Sequence, residues 1–518
     1  MFDSEQNSGV TSPLHAALGV DVGTTNTKVA LVSVHDDGTV REERILALAT
    51  PTSGAALREA VLGALRTVAA DAQVPVQAIG IASMAETGAL IDADGEPLGE
   101  LLRWQPDDAR RMTADALVAS AGAEPLYAAT GVPVVAKSPL VQWLTLAAAG
   151  DARLGSARWA GAADLIALAL TGEHVTDRTL AARTMAYRLD GEPDRGFDPD
   201  LLALAGIVPE RFPRIPADDD APATLTRASA DALGLLPGIP VVVAGHDHAV
   251  GAWAVGARRP GDAVDSVGTA EALYRVAAHV PREPARRAGF SIGPTVGGMH
   301  ESLLGGNPTA GAFVEWAFRE LLPGADRAGA SRVAAAVAAA GPSTVVVLPY
   351  LRGRQAPAPD PRAIPRVVDL CGRGAGLPTD PGESLAAILT GLTLQLAWLD
   401  AEQTAILEEL RSDALCVIGG AGATDPAWWS LKRLLLPGSL RRVASAEPVA
   451  TGAGMLALCR AAGVESVLDA ARDDDAPDDR APDRAPNREP VRASGSWDPR
   501  NLLAAFVAAA TTEREGPE

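Results

Sequence analysis

Residues 18 to 34, LGVDVGTTNTKVALVSV, constrain this chain more than any other stretch, because two β-branched runs are joined by a short turn of glycine and hydroxyl side chains. Leu18–Val22 and Val29–Val34 read as antiparallel strands, with Gly23-Thr24-Thr25-Asn26 as the turn between them. Gly23 permits close backbone approach, and the turn N–H groups and the hydroxyls of Thr24, Thr25 and Thr27 can point at phosphate oxygens. Asp21 can hold a hydrated Mg2+. A Walker-type loop would read GxxxxGK[ST] and lead into a helix, which this segment does not. Taken alone, the same residues also suit a tight turn that binds nothing.

At 518 residues the chain exceeds a single hydrophobic core, so two large domains are expected. Its 65 acidic residues outnumber 45 basic ones, for a formal charge of −20, which leaves no large basic footprint for nucleic acid. The three cysteines, Cys371, Cys416 and Cys459, show no CxxC pairing, which fits a reducing compartment and speaks against zinc. Residues 1–13 lack a basic n-region and apolar core, and no uninterrupted apolar run reaches about 18 residues, so neither a secretory leader nor a membrane span is expected. The expected location is the cytoplasm.

Short β-rich runs alternate with helical patterns to about residue 470, which is α/β organisation. Ile79–Ser83 and Gly88–Asp92 read as strands, placing Glu86 at a strand end, where ligand contacts of α/β sheets gather. Segments 55–72, 107–121, 139–149 and 163–171 carry helical spacing. An organisational break falls at Ala257-Arg-Arg-Pro-Gly-Asp262, after which Val264–Val276 repeats the logic of strand, Gly-Thr turn and strand. Residues 472–490 hold four prolines and seven acidic residues against four arginines, and nothing apolar larger than alanine and proline. Such a run cannot build a core and reads as a disordered insertion. The expected divisions are a tail at 1–13, domains at 14–257 and 258–470, the acidic insertion at 471–497 and a terminal helix at 498–514.

The sharpest chemical signal is Ile239-Pro-Val-Val-Val-Ala-Gly-His-Asp-His248, a buried strand that delivers Gly245-His-Asp-His248 to its C-terminal end just before a helix rich in small residues. Asp247 there suits either a helix N-cap or a general base that takes the proton of a substrate hydroxyl during phosphoryl transfer. His246 and His248 lack the further nearby ligands of a metal site, and His248 suits a hydrogen bond to a substrate hydroxyl. Farther on, Leu415-Cys-Val-Ile-Gly-Gly-Ala-Gly-Ala-Thr424 is a strand ending in a glycine-rich turn against which a flat ligand can lie. By itself such a turn serves simple strand-to-helix packing equally well.

In order along the chain, these motifs resemble the FGGY carbohydrate kinases of the actin, hexokinase and Hsp70 superfamily. The first phosphate motif looks like Asp21-Val-Gly-Thr-Thr-Asn-Thr-Lys28, the catalytic strand end like Gly245–His248, the second phosphate motif like Asp265-Ser-Val-Gly-Thr269, and the adenosine motif like Gly419–Ala423. Gly305–Trp316, Leu348–Gly353 and Glu383–Gly391 resemble intervening family segments. The resemblance implies two actin-like, ribonuclease H-like domains, each a mixed β-sheet flanked by helices, with ATP and sugar meeting in the interdomain cleft.

The resemblance implies residue roles as well. Asp21 matches the magnesium-associated carboxylate, Gly23, Thr24, Thr25 and Asn26 the first phosphate turn, and Gly268 and Thr269 the second. Gly311, Gly420 and Ala421 match places where the family approaches the nucleotide. Asp247 matches the catalytic base. Glu86 and Trp104 match positions that touch the polyol in glycerol kinases, and His248 stands where those enzymes have Gln. Asp108 and Arg110 lie in the matching substrate segment, although a solvated first turn of a helix explains them equally well. Ala85 replaces an arginine and Ala272 an aromatic of the glycerol kinases, so a roomier site is expected. The expectation is ATP- and Mg2+-dependent phosphorylation of a small polyol or ketose at a primary hydroxyl. No nucleic-acid or membrane partner is expected, and a homodimer is compatible with the resemblance. The alternative is a nucleotide-binding regulatory or Hsp70-like protein that phosphorylates nothing.

Overall fold

The computed structural model describes residues 12–190, 196–217, 220–408, 414–443, 445–462 and 498–512. Residues 1–11 of the expected tail, all of the expected insertion 471–497 and the end of segment 498–514 lie outside them. Pro13, assigned to the tail by composition, instead opens the first strand and pairs with His35.

Two compact units account for the described residues, the first drawn from 1–120, 134–256 and 444–475, the second from 121–133, 257–443 and 476–518. In the first, the strands are β1 (Pro13–Val22), β2 (Asn26–His35), β3 (Val40–Ala49), β4 (Val76–Ser83), β5 (Gly88–Ile91), β6 (Arg158–Gly161), β7 (Ala223–Thr224) and β8 (Pro240–His246). They form a six-stranded mixed sheet in the order β3-β2-β1-β4-β8-β7, with β5 and β6 as a separate ribbon. β1 is antiparallel to β2 and parallel to β4, and β4 is parallel to β8, so β1, β4 and β8 end on one edge.

Strand alternation decides what covers each face of this sheet. Leu18, Val20, Ile79 and Ile81 join Leu57, Val61, Leu65 and Val68 of the helix Gly54–Ala69 in one buried cluster. Each such side chain contributes roughly 1.5–3 kcal/mol on burial. Ser53 caps that helix, its hydroxyl accepting the Ala56 amide at 3.2 Å. Gly19 and Gly80, the alternating positions, meet the helix Pro448–Ala462 on the other face. A Cβ on Gly19 would lie 1.8 Å from the Ala450 carbonyl oxygen, and one on Gly80 1.8 Å from that of Ala453. Sequence order assigns this helix to the second half; it packs instead on the first unit's sheet, while its Gly452 lies against Val250 and Ala254 of the helix Asp247–Ala254.

The second unit holds β9 (Ala263–Val267), β10 (Glu271–Ala277), β11 (Ser291–Pro294), β12 (Glu301–Asn307), β13 (Val345–Leu348), β14 (Arg366–Asp369), β15 (Ala414–Gly419) and β16 (Ser439–Arg442). Its main sheet runs β11-β12-β10-β9-β15-β16. As in the first unit, a leading strand pairs antiparallel with its hairpin partner on one side and parallel with a later strand on the other, and that strand pairs parallel with a further one. The helix Pro381–Leu407 is long and apolar enough to cross a membrane, but 94% of its most apolar stretch is buried inside the protein. It is the core helix of this unit.

Candidate active site

Three parallel strand ends carry the expected residues of the first unit: Asp21 on β1, Glu86 just past β4 and Asp247 just past β8. Asp21 is buried and its register partner is Lys28, whose ammonium donates to Asp21 Oδ2 at 3.3 Å and lies 3.0 Å from Glu447 Oε2. Oδ1 of Asp21 is buried without a donor among the described residues. Burial pushes this carboxyl up to about 7, against the pull of Lys28 and with a further push from the Asp247 charge. A dry carboxylate with a donor-free oxygen suits a hard cation, so these residues fit Mg2+.

His246, not Asp247, holds the N-cap position of the helix Asp247–Ala254, and its side chain makes no cap bond. Asp247 is the first helical residue, and its Oδ1 accepts the His248 amide at 2.7 Å. The His246 Nε2 lies 3.1 Å from the same oxygen and the His248 Nε2 4.0 Å. Burial pushes His246 down to about 3, only partly opposed by Asp247, so the ring is neutral near pH 7. The neutral ring therefore stands beside the Asp247 carboxylate without adding a charge to it.

Glu86 sits at φ +57°, in the left-handed region. Its Oε1 accepts from Arg183 Nη2 at 2.5 Å and Nε at 3.1 Å, and the Lys137 ammonium lies 3.6 Å away. Burial raises its pKa, but Arg183 and then Lys137 overcome this and hold the carboxyl at about 2. Gln142 Nε2 donates to the Glu86 carbonyl at 2.8 Å and so fixes the loop. Arg183, Lys137 and Gln142 escape a reading of the sequence, since they lie far from Glu86 along the chain and belong to no motif. Arg183 places a guanidinium on Glu86 although Ala85 replaces the arginine expected beside it.

Trp104 Nε1 donates to Thr24 Oγ1 at 2.8 Å, which joins an expected substrate residue to the first phosphate turn. Gly23 closes that turn by donating to the Asn26 carbonyl at 3.1 Å, and Thr25 and Asn26 are exposed. Arg110 clips the segment that carries Trp104, donating to the Arg103 carbonyl at 2.6 Å. The structure does not bring Asp108 to the others. Its side chain is 94% exposed and pairs with Arg111, as a solvated first helical turn does.

In the second unit the turns interlock. Gly311 N–H donates to the Gly268 carbonyl and Ala312 N–H to that of Thr269, each at 3.1 Å, while Gly420 N–H donates to the Val267 carbonyl at 3.1 Å. A Cβ on Gly311 would stand 2.5 Å from Gly268 O, and the glycines of the 419–422 turn differ among themselves. Gly419 and Gly422 would each drive a Cβ to 2.1 Å from Val267, whereas Gly420 faces open space. Gly420 is therefore the glycine free to face a ligand. Ala421 opens the short helix Ala421–Thr424.

Family models match nearly the whole chain. The N-terminal domain of the FGGY family of carbohydrate kinases matches residues 16–254, and its C-terminal domain residues 266–461. L-fuculokinase of Escherichia coli (strain K12) is 31% identical over 40% of this chain and 43% of its own length. The chain thus spans less than half the length of the fuculokinases it matches. Glycerol kinase of Agrobacterium fabrum is 27% identical over 86% of this chain and 89% of its own. Among solved structures, gluconate kinase from Lactobacillus acidophilus superposes with a TM-score of 0.76 at 20% identity, covering 88% of this chain and 92% of that one. A xylulose kinase from Brucella ovis gives 0.77 at 20% identity over 96% and 97%. These two carry the fold: two mixed α/β units of the actin-like kinase type.

Proposed function

Since the chain belongs to the FGGY family of carbohydrate kinases, we propose that it transfers the γ-phosphate of ATP to a primary hydroxyl of a small polyol or ketose, with Asp247 as general base. The observation that carries this reading is the strand-end placement of Asp247, whose Oδ1 accepts the His248 amide and lies 3.1 Å from His246 Nε2, while His246 holds the N-cap position. Asp247 accepts the hydroxyl proton as that oxygen attacks phosphorus. His248 and Glu86 bind substrate hydroxyls, and Trp104 forms the wall that meets the first phosphate turn. Gly23, Thr24, Thr25 and Asn26 present N–H and hydroxyl donors to phosphate oxygens, as do Gly268 and Thr269, with Gly311, Gly420 and Ala421 as the adenosine contacts. Asp21 holds Mg2+, which when bound neutralises charge on the transferring phosphoryl group.

Two cations, Arg183 and Lys137, face the single carboxylate of Glu86. Sugar acids therefore belong in the substrate panel beside neutral polyols and ketoses, in keeping with the gluconokinase of Bacillus subtilis among the relatives. Cys371, Cys416 and Cys459, none of them in a disulfide, support a cytoplasmic setting. A homodimer is compatible with this reading, which needs no nucleic acid or membrane. Family membership weighs against the non-catalytic alternative. A coupled ADP-release assay over polyols, ketoses and aldonates from triose to heptose size tests the proposal. One substrate turned over well above the background ATPase is expected, and ATP binding with no acceptor on the panel would contradict it.

A further inference from the structure

Beneath the turns of the second unit lies a buried ion cluster that the chemistry above does not use. Lys432, on the helix Pro426–Leu435, is fully enclosed, and its ammonium donates to Asp265 Oδ2 on β9 and, at 3.0 Å, to Glu271 Oε1 on β10. The Trp428 ring lies 5.2 Å from the same nitrogen. One cation serves two carboxylates, whose other oxygens, Asp265 Oδ1 and Glu271 Oε2, are buried without a donor among the described residues. Buried ion clusters of this kind are seldom more stabilising than apolar residues of similar volume, so what such a cluster contributes is geometry.

The geometry it fixes is specific. Asp265 lies on the strand before the turn Gly268-Thr269 and Glu271 opens the strand after it, so the two carboxylates flank the second phosphate turn. Lys432 comes from the helix that follows the glycine-rich turn, and Gly420 of that turn already donates to the Val267 carbonyl at 3.1 Å. We propose that Lys432, Asp265 and Glu271 are positioning residues that hold the second phosphate turn and the adenosine turn in the fixed relation that one nucleotide requires. None of the three belongs to either turn. The inference rests on the kinase reading, because it needs a nucleotide on both turns.

Glu271→Ala is the informative variant, since it removes the grip on the strand after the turn but leaves Lys432 paired one to one with Asp265. ATP affinity, read directly by calorimetry, should fall about tenfold, as expected when a preorganised site loosens. Turnover at saturating ATP and the sugar KM should stay within about twofold. Glu271→Gln, which can still accept from Lys432, should recover most of the affinity. Wild-type ATP affinity in Glu271→Ala would overturn the proposal, as would failure of that variant to fold, which would assign the cluster to stability alone. A parallel loss in ATP affinity, sugar KM and turnover would overturn it too. Wild-type protein that binds no ATP would instead overturn the kinase reading itself.

Discussion

Glu86 holds a left-handed backbone conformation, φ +57°, and a carboxylate kept at about 2 by Arg183 and Lys137 against its burial. Non-glycine residues persist in that region only where their surroundings over-determine them, and here Arg183, Lys137 and Gln142 do so. Arg183→Met should leave the buried carboxylate with Lys137 alone, 3.6 Å away, and so lower the melting temperature. The double variant Glu86→Gln/Arg183→Met should then lose less stability than the two single variants summed, and additive losses would contradict the pairing. Behind Glu86, Asp164 lines a cavity of about 20 Å³ with Ser83 and Thr184. Its Oδ2 accepts the Gly161 amide at 2.8 Å, and burial raises its carboxyl from 3.8 to about 7. A raised carboxyl pKa contributes stability that is complete below about pH 4 and is lost as pH rises to about 7. Thermal melts of Asp164→Asn from pH 4 to 8 should therefore fall less steeply than those of the wild type. Asp21 and Glu271 carry the same sign, so the slope should shrink without vanishing. An unchanged slope would show that Asp164 is ionised throughout.

At the scale of elements, glycines decide what packs where. Gly80→Val would drive branched carbon into the Ala453 carbonyl, 1.8 Å from where its Cβ must stand. It should dislodge the helix Pro448–Ala462 from the first sheet and with it Glu447, the second partner of Lys28. Overpacking of this kind costs typically 1–3 kcal/mol, so a clear drop in melting temperature is expected, and a neutral substitution would mean that the helix packs elsewhere. Gly420→Val should do the opposite, because a Cβ there has no protein atom within 4 Å. Its melting temperature should hold while ATP affinity falls and sugar binding, followed separately by calorimetry, survives. Loss of sugar binding with intact ATP binding would move the nucleotide elsewhere. The contrast also marks what the sequence could say. Strands and helices were legible from their periods: the helix read over 163–171 spans Ala162–Thr171, and the strands flanking the Gly268-Thr269 turn, read within 264–276, run Ala263–Val267 and Glu271–Ala277. Which sheet a helix of small residues joins was not, since a stripe of Gly and Ala marks close approach but not the partner. The clustering of Glu86 with Arg183 was hidden for a related reason: it comes from topology, not from local pattern.

At the scale of the whole chain, the two units share an order of five strands, β3-β2-β1-β4-β8 in the first and β12-β10-β9-β15-β16 in the second, and each opens on a hairpin whose turn carries Gly-Thr: Gly23-Thr24 and Gly268-Thr269. The hairpin resemblance visible in the sequence is thus matched by a shared topology, while the residues at the strand ends have diverged. Asp21 on β1 faces the surface Lys28, whereas Asp265 on β9 is tied to the buried Lys432. The first unit makes Asp247 the first residue of the helix that follows β8, and on that residue the account stands. Asp247→Asn keeps the shape of the side chain and leaves the N-cap, His246, untouched. It removes the capacity to take a proton. Sugar-dependent turnover of Asp247→Asn, measured alongside ATP affinity and melting temperature, is the most direct test. Turnover should fall by about 10²- to 10⁴-fold, the usual contribution of a positioned general base, with affinity and melting nearly unchanged. Near-normal phosphorylation by the Asn variant would contradict the assignment of Asp247 as the base.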